Sequence, residues 1–405
     1  NKDKTFFFFT FGGYRRTDSS ARFLTVPTAR QREGCFDETG VRPIFDRETE
    51  AQFPGNCIPQ SRFSSVSRNI LPLIPQPTNS ALQNNYLGVT STQAKQDSWS
   101  LKIDHRITDR HTINGWYSTQ DLSSLVQGPL PAPVFGTGGI NTSANRPQFL
   151  RFNYNWIIAP TTSLQVTYGR TRLRQYFDND SVGQGWPQKL GLKGVSEGDT
   201  NAFPVVRFTD GRYVNYGDTN GPKTKGTQFN YTDHVSANLS MLKGKFSWKF
   251  GGERRWMRTT GTKLSTGGFD DAGVQGDFSF ATSPTASRAA SGTTGDSFAS
   301  FLLGMVSSAS RTFNASASSA NFGYYGGYAQ TDWKVSPKLT LNLGLRYEIP
   351  IPRSTSPNAF TSFDPELINP ASGLKGALAY LGDCQGCVSG NRFGKINYSS
   401  IGPRL

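Results

Sequence analysis

Residues 336–348 read SPKLTLNLGLRYE. Leucine occupies 339, 341, 343 and 345, and Tyr347 follows in step. Thr340, Asn342, Gly344, Arg346 and Glu348 fill the places between. Side chains of a strand alternate between two faces, so this run has one apolar face and one polar face. The same period recurs from Trp99 to Ile107, Leu150 to Trp156, Leu164 to Tyr168, Val235 to Met241 and Phe246 to Phe250. Each predicts a strand of about ten residues, the length that crosses a bilayer when tilted.

The connections constrain the fold further. The predicted strand pairs 98–107 with 111–120, 149–158 with 162–172, 232–241 with 245–256 and 322–333 with 338–348 are each joined by a few turn residues. Between the pairs lie 15–96, 121–148, 173–231 and 257–321, which hold most of the Pro, Gly, Ser and Asn. Loops beyond roughly 12 to 15 residues are uncommon in compact domains. A soluble sandwich spreads its turn signals every 8–12 residues or so. Strict alternation of short and long predicts an all-β fold: an antiparallel up-and-down transmembrane β-barrel with short periplasmic turns and long extracellular loops, which the resemblance given below implies is partial. The leucine face then meets lipid, while Lys102, Asp104, Arg106, Lys245, Lys249, Arg346 and Glu348 line a wet lumen. Trp156, at a strand end on the apolar face, suits an interfacial girdle. Phe298, Phe301 and Leu302 share one helical face before Gly304 and predict a short helix at the barrel mouth.

No segment approaches the roughly 18 apolar residues that a membrane-spanning helix needs. Lysine and arginine number 43 against 29 acids, a formal charge of +14. They are scattered, with no basic block or basic–aromatic module, so nucleic acid is not an expected partner. A surface or pore wall facing anionic partners such as outer-leaflet lipid fits them better. Cys35, Cys57, Cys384 and Cys387 allow three pairings. One local bridge in each pair is the natural choice and implies an oxidising compartment. Cys384 and Cys387 lack the βαβ setting of a redox motif and the second ligand pair of a zinc site.

Signs of catalysis are weak. GVSEG at 194–198 matches a nucleophile elbow, and Asp210, Asp218, Asp233 and His234 follow it, but the strand before and helix after that the elbow needs are missing. His105, His111 and His234 are not at metal-ligand spacing, and Asp270, Asp271 and Asp277 lack the spacing of a calcium loop. Neither an enzyme nor a cofactor or metal site is expected. The opening NKDKTFFFF carries no signal-peptide pattern, and the chain stops at IGPRL, so both ends read as cut.

The stretch GGYAQTDWKVSPKLTLNLGLRYE at 326–348 resembles a hairpin of TonB-dependent outer-membrane receptors, and more narrowly of the Oar-like receptors with a carboxypeptidase-regulatory-like domain. KTFFFF at 4–9, QFPGN at 52–56, QDSWSLKIDH at 96–105, FASFLLG at 298–304 and IGPRL at 401–405 resemble further motifs of that family. The resemblance implies a fragment of a receptor barrel over 1–405, without plug, TonB box or closing C-terminal strand. It implies an outer-membrane transport protein that captures an unknown ligand at its external loops for TonB-energised uptake, TonB engaging a region upstream. Outer-membrane lipid and lipopolysaccharide are the implied surroundings. Arg207, Arg212, Tyr213 and Tyr216, cationic and aromatic residues of the third long connection, are the candidate ligand-facing residues. The alternative is a secreted or surface-attached β-rich adhesin or carbohydrate-binding protein, soluble without detergent.

Overall fold

A computed structural model describes residues 3–135, 141–195, 202–218, 226–262, 275–311, 318–356, 361–382, 387–388, 390, 392 and 394–404. The strands in chain order are β1 (Thr5–Leu24), β2 (Tyr86–Arg106), β3 (His111–Gln127), β4 (Asn141–Ala159), β5 (Thr162–Asn179), β6 (Val205–Phe208), β7 (Gly226–Lys243) and β8 (Phe246–Thr262). After these come β9 (Asp277–Phe280), β10 (Ser308–Ser310), β11 (Ser318–Ser336), β12 (Leu339–Ser356), β13 (Thr361–Ile368), β14 (Lys375–Leu381), β15 (Cys387–Val388) and β16 (Ser400–Arg404). Four short α-helices lie in the connections: α1 (Ala29–Arg32), α2 (Ser65–Ile70), α3 (Trp186–Leu190) and α4 (Ser297–Leu302).

Ten strands form one antiparallel sheet in the order β1-β2-β3-β4-β5-β7-β8-β11-β12-β16. Sequential neighbours pair throughout, and the sheet does not close on itself, so the architecture is a partial up-and-down barrel. All four predicted tight turns are present, between β2 and β3, β4 and β5, β7 and β8, and β11 and β12. They lie at one end of the sheet. Every long connection leaves from the other.

The register joins the alternating runs into a continuous surface. Phe9 pairs with Leu101, Leu101 with Tyr117 and Tyr117 with Leu150. Further along, Leu164 pairs with Leu239, Leu239 with Phe250, Phe250 with Ala329 and Ala329 with Leu345. Paired residues share a face, so one side of the whole sheet carries an apolar band. That band is exposed: Phe7 at 78%, Phe152 at 53% and Leu345 at 52%. A soluble sandwich turns such a face inward. This sheet turns it outward, which is stable only where the surroundings are themselves apolar.

The strands run longer than the alternation predicts, with β2 spanning 21 residues. The β1–β2 connection is therefore 25–85 where the sequence suggested 15–96. Pairing continues past the apolar band, but both faces are polar there and the hydrophobic signal that marks a strand fades. On β1 the outward residues run Phe7, Phe9 and Phe11, then Gly13 and Arg15, which contacts Asp97 of β2 at 2.6 Å. The other face carries the charges expected of a lumen. Lys102 and Asp104 pair there at 2.9 Å, and Lys249, Arg346 and Glu348 share that face. Lys245 sits in the β7–β8 turn.

Candidate functional site

The hydrophobic core lies outside the ten-stranded sheet, in the long connections. Its buried members include Phe36, Ile44, Ile58 and Ile70 from the first connection and Leu130 and Val134 from the second. Leu190, Phe208, Tyr213 and Tyr216 come from the third, and Phe298, Phe301 and Leu302 from the fourth. Four segments far apart in sequence thus fold into one cap at the end of the sheet away from the tight turns.

Local chemistry shapes each piece. Thr28 and Gln31 form a capping box on α1, the Thr28 hydroxyl accepting from the Gln31 N–H at 3.2 Å and the Gln31 side chain accepting from the Thr28 N–H at 3.1 Å. Gly34 has φ +98, and a Cβ there would lie 2.4 Å from the Ile58 carbonyl, so only glycine fits. Cys35 and Cys57 are joined by a disulfide. In QFPGN, Asn56 accepts from the Ile44 N–H at 2.7 Å and donates to the Arg42 carbonyl at 3.2 Å, tying the turn down. Arg62 contacts Asp46 at 2.7 Å, and its hydrogen bonds hold the Asp46 carboxyl below the usual carboxylate range. β6, β9 and β10 add a three-stranded sheet, with β6 parallel to β9.

At the centre sits the Phe208 ring, 5.3 Å from Tyr216, 5.5 Å from Tyr213, 5.9 Å from Phe301 and 6.0 Å from Phe298. The predicted helix is α4, with Asp296 capping it through the N–H groups of Phe298 at 2.8 Å and Ala299 at 3.2 Å. It lies within the cap core, where the Leu302 carbonyl accepts from the Ser64 N–H at 2.8 Å. Asp296 also accepts from Arg212 and from the Tyr213 hydroxyl, each at 3.1 Å. Burial outweighs Arg212 and lifts the Asp296 carboxyl to about 6.

The four residues expected to face a ligand all make contacts inside the cap. Tyr213 and Tyr216 are buried, at 4% and 0% exposure, and burial pushes both hydroxyls above the usual tyrosine range. Arg212 is committed to Asp296, and Arg207 binds Asp277 at 2.9 Å. These residues hold the cap together.

The lumen-facing side of β7, β8, β11 and β12 carries a polar network. Glu253 receives Arg255 at 2.7 Å, His234 at 3.1 Å and Arg346 at 3.4 Å. Arg346 donates to the Tyr324 hydroxyl at 3.0 Å and to Glu348, and Tyr324 donates to Glu348 at 2.8 Å. Tyr328 lies across Gly251, where a Cβ would meet its ring at 2.3 Å, and donates to Asn238 at 2.9 Å. Such a surface presents fixed donors and acceptors to water and polar solutes. Sequence alternation found its charges but not their linkage, which needs the cross-strand register.

The remaining candidates separate. His105 bonds Thr5 at 2.8 Å, His111 bonds the Tyr154 hydroxyl at 2.7 Å and stacks on Trp156 at 5.5 Å, and His234 faces the lumen. Asp233, expected beside His234 in a triad order, contacts Arg170 at 3.7 Å on the opposite face. Ser196, Asp270, Asp271 and Cys384 lie outside the described residues. Cys387 is disulfide-bonded. Cys35, Asp37 and Cys57 cluster closely, but the two sulfurs are spent on each other.

The family profile described as an outer membrane beta barrel domain matches residues 1–405. Among solved structures, the outer membrane transporter YddB from Escherichia coli aligns at 12% identity and TM-score 0.35, over 87% of this chain and 41% of that one. BauA, the ferric preacinetobactin receptor from Acinetobacter baumannii, aligns at 10% and 0.32, over 67% and 37%. The ferric-catecholate import receptor Fiu from E. coli K12, in its closed form, aligns at 10% and 0.32, over 72% and 40%. The chain thus spans about two fifths of the length of these structures. A search of curated proteins returned no match.

Proposed function

The chain belongs to the outer membrane beta barrel domain family, its sheet lies in the bacterial outer membrane, and from that premise we propose that it forms part of the barrel of a TonB-dependent, Oar-like receptor. In this reading the cap recognises a ligand outside the cell, and the polar lumen face carries it inward during uptake energised through TonB. The plug and TonB box belong to another part of the receptor. The protein works by binding and passage, without covalent chemistry of its own.

One observation supports this reading most. The four long connections share a single core above a sheet whose inner face is polar and charged. A folded cap of this kind offers a pre-organised surface where separate loops would pay ordering entropy on binding. The alternation of tight turns and long connections fixes the side: long connections of outer-membrane barrels face outward.

The test is solute depletion from the medium. Cells producing the receptor are compared with cells lacking it, each with TonB intact and inactivated. The proposal expects depletion of at least one solute that requires both. Depletion that needs the receptor but not TonB would leave a passive pore. Binding of cells to surfaces or glycans, with no solute depleted, would favour an adhesin.

A further inference from the structure

The cap contains an apolar cavity of about 160 Å³. Its walls come from three connections. From the first, α2 supplies Val66 and Ile70, and from the fourth, α4 supplies Phe301. Val206 of β6 and Phe278 and Phe280 of β9 face it from one side of the small sheet, and Leu192 of the third connection adds to the wall. Val306 also lines the space and is 42% exposed, so the cavity meets solvent there.

Two properties make this space a site. First, its polar atoms are spent. Among the described residues, the polar side chains on the wall are Ser64 and Ser67, and none is charged. The two hydroxyls bond each other at 2.8 Å, and Ser67 donates to the Leu302 carbonyl at 2.8 Å. A trapped water needs about two to four polar partners, so this cavity does not favour water. Second, the walls are held at their edges. The Ser64 N–H donates to the Leu302 carbonyl at 2.8 Å, Asn69 donates to the Leu190 carbonyl at 3.2 Å, and the Val206 N–H donates to the Tyr216 carbonyl at 3.0 Å. Gly304 has φ +69, and a Cβ there would lie 2.7 Å from the Ser64 Cβ, so the turn after α4 already touches α2. Walls fixed in this way do not collapse inward, and the rings and methyls that face the space lack contacts on that side.

We propose that this cavity is the subsite of the cap that takes a compact apolar group of the ligand, about the size of a benzene ring. The volume sets the size, since a dry apolar cavity of about 150 Å³ takes benzene. The lining sets the chemistry. A charged or hydroxylated group would lose its water and find no partner. An apolar ring or branched aliphatic unit gains the contacts that the walls lack. The ligand class is therefore a solute with an apolar moiety, whose remaining part stays at the mouth beside Val306. The inference deepens the receptor reading and rests on it for the ligand's role.

The test measures amide hydrogen exchange of the protein in lipid nanodiscs, with toluene as the apolar probe and 1,4-dioxane as a polar molecule of similar size. The amides of Ser64 and Val206 report on the walls. Toluene at ten times its dissociation constant is expected to slow both about tenfold, because a ligand that binds only the closed cap multiplies its protection by one plus that ratio. Dioxane is expected to leave them unchanged. Val66→Phe fills the cavity and is expected to abolish the toluene effect. If its cap exchanges fast without any probe, Leu192→Phe takes its place, and the wild-type comparison of the two probes stands without either variant. No slowing up to the solubility of toluene, equal slowing by dioxane, equal slowing in the middle of the ten-stranded sheet, or an undiminished effect in a folded variant overturns the subsite. Each of these leaves the receptor reading to solute depletion, whose failure would in turn remove the ligand's role while toluene binding remained.

Discussion

Phe208→Ala tests whether the long connections really share one core. Phe208 is 4% exposed, and four aromatic rings lie within 6.0 Å of its centroid. Removing a buried phenyl ring costs about 3–5 kcal/mol, and the lost ring contacts place this site toward the upper part, at about 4 kcal/mol. A change of that size raises local opening about 10³-fold, at 1.4 kcal/mol per factor of ten. Amide hydrogen exchange reads it directly. The Ile58 amide bonds the Gly34 carbonyl, the Ser64 amide bonds Leu302 and the Val206 amide bonds Tyr216. These bonds involve three different connections. If the core is shared, all three amides gain the same factor, while amides in the middle of the ten-stranded sheet hold their protection. Acceleration confined to 202–218 would refute the reasoning, because independent loops would open independently.

Other perturbations separate the faces and forces. Leu345→Arg, on the outward face, is expected to destabilise the barrel in bilayers by about 2–4 kcal/mol, whereas Asn342→Arg on the wet face stays within about 0.5 kcal/mol; urea unfolding in lipid vesicles measures both. Asp296 holds its proton more tightly in the folded cap than in the unfolded chain, since burial lifts its carboxyl from the ordinary range near 4 to about 6. Cap stability therefore falls as pH rises from about 4 to about 6 and levels off above, and Asp296→Asn, which keeps a good helix cap, flattens that slope in a pH series of cap unfolding. Replacing Cys35 and Cys57 together by serine reopens a loop with a sequence separation of 22 and is expected to cost the cap about 3 kcal/mol, seen as faster proteolysis of 25–85.

Much of the sheet is legible in the sequence, because lipid and water on opposite faces force a strict period of two. The runs at Leu150 to Trp156 and Leu339 to Tyr347 announce their strands, and each tight turn falls within a residue or two of its place. The upper halves of the strands are not legible. Beyond Arg15, Arg146 and Arg170 both faces are wet, so the pattern loses its contrast while backbone pairing continues. The cap was hidden for a different reason. Phe36, Phe208, Tyr216 and Phe301 follow no period, and their contacts span hundreds of residues. FASFLL could be recognised as a helix from its own spacing, but not as the buried centre of a core built from four connections. Tyr213 and Arg212 carry the composition of a binding surface, and their bonds to Asp296, more than eighty residues away, are not legible from it.

The central claim is that one face of the sheet meets lipid and the other meets water. Spin labels placed one at a time along 339–348 of the protein in bilayers measure this through collision with oxygen, which concentrates in lipid, and with a water-soluble nickel chelate. The account predicts a period of two: labels at 341, 343, 345 and 347 favour oxygen, and labels at 340, 342, 346 and 348 favour nickel. Accessibility to nickel at every position, or oxygen preference without alternation, would contradict it.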